Sequence, residues 1–166
     1  GVPDGAATGT ITSKAAPAGW QELFAGALAN VIALKPSALE ATGCALRVDD
    51  SDATLARVVG YLSMADVSSG TGPFPTSAQF SGGVAWPKSN VADGSARAWR
   101  FVADARSFML YVCPHVDNQS HGVLLGWGDF VPSKSGDAYA CAISGVDVGA
   151  ASSGLALAGC LGFGSG

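Results

Sequence analysis

The chain has 166 residues, 48% of them hydrophobic, which is enough for one domain with a core and too few for two comfortable ones. Charged residues make up 13%, about half the usual share, and the formal net charge is -4. The nine Lys and Arg are scattered, with Arg97 and Arg100 the closest pair, so nucleic-acid binding, which needs clustered basic groups, is disfavoured.

In chain order, residues 1–19 are rich in Gly, Ala, Thr and Pro and read as an extended arm or loop. "WQELFAGALANVIALK" carries Trp20, Leu23, Phe24, Ala27, Leu28, Val31 and Ile32 at helical spacing. Gly26 and the β-branched pair Val31 and Ile32 oppose a helix. Periodicity alone favours the helix; two short strands are the competing reading. The run inside it, Phe24 to Leu34, is interrupted by Asn30 and falls short of the roughly 20 residues that span a bilayer, so membrane insertion is not expected.

From Cys44 the pattern is β. "CALRVDD" alternates, "DSDA" reads as a turn, and "TLARVVGYLS" alternates again, which predicts an antiparallel hairpin. "SSGTGPFPT" follows, then "SAQFSGGVAWPKS", expected to form a short strand pair about Gly82 and Gly83 with Pro87 at an edge or strand end. "ARAWRFVADARSFMLYVC" is the clearest hairpin. Trp99, Phe101 and Ala103 share a face, as do Phe108, Leu110 and Val112, and the turn falls near "DARS". "GVLLGWGDFVPS" and "DAYACAISG" complete the series. The expected fold is all-β, an antiparallel sandwich or barrel-like domain with Gly/Pro-rich loops, spanning 20–145. Residues 146–166 read as a Gly/Ala-rich segment. Residue 1 is Gly and the last residues are "LGFGSG"; both ends are expected to continue beyond these residues or to have been trimmed to them.

Few residue patterns in the chain point to chemistry. Cys44, Cys113, Cys141 and Cys160 lack C-x-x-C spacing and sit among apolar residues, so buried free thiols are expected. His115, Asp117 and His121 form a weak ligand pattern that a polar turn after a strand explains better. Ser120 beside His121 is a poor nucleophile–base pair, because strand neighbours point to opposite faces. "VDDSD" lacks the spacing of a calcium loop and fits a solvated turn. Trp86, Trp99 and Trp127 are candidates for a sugar-stacking platform, although Trp on a β face more often belongs to a core. No catalytic, metal or cofactor residue is assigned.

Three long words carry a resemblance: "LRVDDSDATLARVVGYLSMADVSSGTGPFPT", "WPKSNVADGSARAWRFVADARSFMLYV" and "GWGDFVPSKSGDAYACAISG". In this order and spacing they resemble a family of tailed-bacteriophage virion structural proteins from phages and prophages of proteobacteria. The similarity runs from about Ser13 to Gly145. It implies a non-enzymatic subunit made in the bacterial cytoplasm and assembled on the exterior of the virion. The expected role is a tail-associated component such as a fibre, tip or collar appendage, with capsid decoration as the alternative and a host-glycan-binding module as a second one. Expected partners are other virion proteins and further copies of itself, with a host-surface glycan under the second alternative. The resemblance carries over no catalytic, cofactor or metal residue, and it favours two strands over a helix for Trp20 to Lys35.

Low charge and many small residues are consistent with a surface that neighbours cover. Within "SSGTGPFPT", Pro73, Phe74 and Pro75 are expected to form a rigid interaction loop with Phe74 as its apolar contact. On that reading Phe74→Ala leaves the fold intact and lowers incorporation into particles. The competing reading makes the loop a crossover with Phe74 capping the core.

Overall fold

A computed structural model of the chain describes residues 18–37, 43–78, 81–89, 95, 97–115, 122–130, 139–148 and 160–164. For 85–87, 123, 125, 129–130, 139–148 and 160–164 it describes the backbone. These residues are all-β, in antiparallel sheets, with no α-helix among them.

The ambiguous segment resolves into β1 (Trp20–Leu23) and β2 (Val31–Pro36), paired from Trp20 opposite Pro36 to Leu23 opposite Ala33. The reversal between them uses three left-handed residues, Phe24 (φ 56°), Gly26 (φ 73°) and Asn30 (φ 60°). Such backbone breaks a helix, so the apolar spacing that suggests one is distributed over two strands and a turn.

β3 (Ala45–Asp49) and β4 (Leu55–Tyr61) form the expected hairpin, with Val48 opposite Val58. Asp52 builds its turn: Oδ1 accepts from the backbone N–H of Thr54 at 2.8 Å and of Leu55 at 3.0 Å. A small hairpin follows, β5 (Ser63–Asp66) with β6 (Ser69–Thr71). β7 (Val84–Pro87) then returns to pair with β4. This corrects the short strand pair expected about Gly82 and Gly83: those glycines lead into a strand whose partner is β4. Gly83 must be glycine there. Its φ is +100°, and a Cβ would lie 2.5 Å from the Val58 carbonyl oxygen. Pro87 closes β7 at the edge of the sheet, where a missing N–H is tolerated. The first sheet has the order β1-β2-β3-β4-β7.

The second sheet is a plain meander. β8 (Trp99–Ala103), β9 (Ser107–Val112), β10 (Gly122–Phe130), β11 (Tyr139–Val148) and β12 (Cys160–Gly164) pair in sequence. The β8–β9 turn is closed by Asp104, whose Oδ1 accepts from the N–H of Arg106 at 2.8 Å and of Ser107 at 2.7 Å. Sheet structure extends past Gly145 through β11 and β12, so the segment 146–166 contributes strand as well as Gly/Ala-rich chain.

One core joins the two sheets. Ile32, Leu34, Leu46, Val48, Val58 and Val84 come from the first, and Phe108, Leu110, Val112 and Trp127 from the second. Trp20 bridges them. Its ring meets Phe108 edge-on at 5.5 Å and Trp127 at 4.9 Å, and its Nε1 donates to the Asp104 carbonyl at 2.8 Å. Aromatic pairs of this geometry add about 0.5–1.5 kcal/mol beyond their area. Cys44 and Cys113 are buried free thiols, as expected. Side chains of Cys141 and Cys160 lie outside the described atoms.

Part of the outer face of the first sheet is also covered. Arg47 stands between Ala33 and Val59 on that face, and its Nε donates to the Val67 carbonyl at 3.0 Å. This places the tip of the β5–β6 hairpin over the sheet and accounts for the burial of Ala33, Val59 and Val67. It explains why β2 reads as a continuous apolar run rather than an alternating one.

Candidate interaction surface

The loop singled out in the sequence is pulled inward. Phe74 is only 9% exposed and belongs to the core. Its backbone pairs with Gly60, with N–H to carbonyl distances of 2.8 and 2.7 Å in the two directions, and the Phe74–Pro75 peptide is cis. Pro75 is buried and Pro73 exposed. The expectation that Phe74 is an apolar contact for a partner is therefore corrected: the ring spends its surface on the core. The crossover reading describes its placement.

The three acids of "VDDSD" serve three different structural ends. Asp49 pairs with Arg47 at 3.0 Å and accepts from the Ser51 N–H. Partial burial acts to raise its pKa, but the Ser51 and Arg47 interactions outweigh this and hold the carboxyl below the ordinary aspartate value. Asp52 is held low chiefly by the backbone N–H groups of Thr54 and Leu55. Asp50 is fully buried and ion-paired with Lys88, itself buried.

Around that pair the two sheets are knotted together. The N–H groups of Lys88 and Ser89 both donate to the Thr54 carbonyl, at 2.8 and 3.2 Å. Arg97 Nη2 donates to Ser89 Oγ at 2.6 Å and its Nε to the Pro114 carbonyl at 2.8 Å. Lys88 and Ser89 after β7 are thus pinned to the β3–β4 turn, and Arg97 before β8 to Ser89 and to the end of β9. A carboxylate so enclosed is shaped for holding structure, not for meeting a solute.

His115 is half-buried after β9, while Asp117, Ser120 and His121 lie outside the described residues. Among the described residues no group of three or more His, Cys, Asp or Glu is placed to hold a metal ion. No helix among them is long and apolar enough to cross a membrane. Of the stacking candidates, Trp127 is core and Trp99 is 42% exposed; the Trp86 side chain lies outside the described atoms.

The outer face of the β8–β9 hairpin has no motif in the sequence to mark it. Val102 is 71% exposed and Met109 51%, and they stand directly opposite each other. Gly126 continues this row on β10, and a Cβ there would meet nothing within 4 Å. In the next row, exposed Arg100 faces Tyr111, whose ring lies over Gly122. The alternation of β8 and β9 already placed these side chains opposite Phe101 and Phe108. Only the sheet order shows that β8 is an edge strand. Arg100 is the one charged residue of this strand, which carries no Lys, no Pro and no bulge to guard against pairing with another chain.

No family model matches this chain, and no curated protein and no solved structure matches it.

Proposed function

We propose that the chain is a non-enzymatic structural subunit of a tailed-bacteriophage virion, placed on the particle exterior as a tail-associated component. It assembles with copies of itself and with other virion proteins. Two supports meet here: the long shared words that resemble such proteins, and a charge-poor sheet edge with exposed apolar side chains beside it. The carrying observation is that edge, β8, with Val102 and Met109 exposed beside it. Arg100 is the one charge on this strand, so most of the edge stays open to pairing with another chain.

The test is location. Purified particles are labelled with a specific antibody and imaged. Label along or at the end of the tail supports the proposal. Label over the head moves the role to capsid decoration. Particles without label overturn the virion assignment.

A further inference from the structure

The geometry points to a second copy of this chain as the occupant of the β8 edge, paired antiparallel about a two-fold axis at Val102. The inference deepens the assembly reading above and rests on it for its biological setting, but its geometry stands on the strand itself.

In an antiparallel ladder the N–H and C=O of one residue point to the same side, and alternate residues point to opposite sides. Cys113 donates to the Ala98 carbonyl at 2.8 Å, and Asp104 donates to the Ser107 carbonyl at 2.9 Å. Ala98 and Asp104 therefore turn their backbone groups toward β9, and by the same period so do Arg100 and Val102. Phe101 and Ala103 turn theirs to the side where no further strand lies among the described residues.

A two-fold axis at Val102 sets Phe101 opposite Ala103 of the second copy, so the outward groups of both residues are satisfied reciprocally. Val102 meets Val102 of the second copy at a non-hydrogen-bonded position, where side chains approach most closely. With Met109 beside each, an apolar strip runs unbroken across the axis. Arg100 then stands opposite Asp104 of the second copy, and Asp104 opposite its Arg100, so the exposed charges nearest the edge meet with opposite sign. An axis one residue away, at Phe101, would set Arg100 against Val102 and leave Asp104 opposite Ala98. Charge and apolar matching both select Val102. The interface closes on itself, as a two-fold contact does, and joins two five-stranded sheets into one.

The register is tested by cross-linking the full chain. At a non-hydrogen-bonded pair Cα atoms lie about 4.5 Å apart, within the roughly 4.4–6.8 Å range of disulfides. Val102→Cys is expected to give a disulfide-linked dimer under mild oxidation, well above the background that the native cysteines give in the wild type. Arg100→Cys is expected to give none. Cross-linking in a mixture of Arg100→Cys and Val102→Cys chains, without it in Val102→Cys alone, overturns the register.

Sedimentation supplies the second measurement. The wild type is expected to sediment faster as concentration rises. Val102→Lys and Arg100→Asp, both at exposed positions and therefore compatible with the fold, are expected to abolish that dependence. A wild type that stays monomeric at every concentration overturns the inference. The Val102→Cys link in a protein missing from particles would uphold the edge pairing and remove the virion assignment; the converse result would do the reverse.

Discussion

Replacing Lys88 by Met should be among the costly single changes in this chain. The Asp50 side chain is completely buried and that of Lys88 is 8% exposed. Lys88 also reaches the Asp50 carbonyl, at 3.4 Å. Met keeps most of the Lys stem and removes the cation, so the loss is electrostatic rather than a cavity. Breaking a buried pair from one side costs about 3–5 kcal/mol, a large part of the roughly 5–15 kcal/mol that holds a domain folded. Urea unfolding of Lys88→Met, Asp50→Asn and the double variant measures it. The double variant is expected to be more stable than Lys88→Met alone, because it leaves no uncompensated charge. In Lys88→Met, burial favours the neutral carboxyl, so its folded pKa rises above the unfolded value of about 3.9. The folded state then binds the extra proton, and the stability deficit should shrink as pH falls through that raised pKa. A loss below about 1 kcal/mol, or single losses that simply add in the double variant, would show that the pair behaves as a surface salt bridge and would refute the reasoning.

Phe74→Ala should destabilise by about 3–5 kcal/mol in the same assay, because the ring belongs to the core; a near-neutral result would return it to the surface role. Asp52, Asp66 and Asp104 all have lowered pKa values, through the N–H groups of Thr54 and Leu55, the Ser69 hydroxyl with the Ser68 N–H, and the N–H groups of Arg106 and Ser107 respectively. Each contributes stability that is present above the unfolded pKa of about 3.9 and lost as pH falls toward the lower folded value. Melting temperature followed down through that range should therefore decline, and Asp104→Asn should flatten part of the decline. Gly83→Ala should cost at least about 1–3 kcal/mol, since it demands a left-handed alanine pressed on the Val58 carbonyl; wild-type stability would mean that β7 and β4 can separate without cost.

Alternation made most of this fold legible. The hairpins at 44–61 and 99–112 and the turns at Asp52 and near Asp104 follow from a period of two and from side chains that bond their own backbone. The buried thiols of Cys44 and Cys113 follow from their apolar neighbours. The segment 20–35 was ambiguous because one set of apolar residues serves a helix face or two strands equally well. The deciding fact is left-handed backbone at Phe24, Gly26 and Asn30; Gly and Asn favour it and Phe does not, so residue type signals it only in part. Phe74 was ambiguous because a Pro/Gly loop with an aromatic looks the same whether the ring turns in or out.

Tertiary structure alone decided three matters: that β7 returns to β4, that Asp50 is enclosed with Lys88, and that β8 is left at an edge with Val102 and Met109 uncovered. Each depends on contacts between residues far apart in the chain. Local pattern records which face of a strand is apolar. It does not record which strand lies alongside, or whether any does.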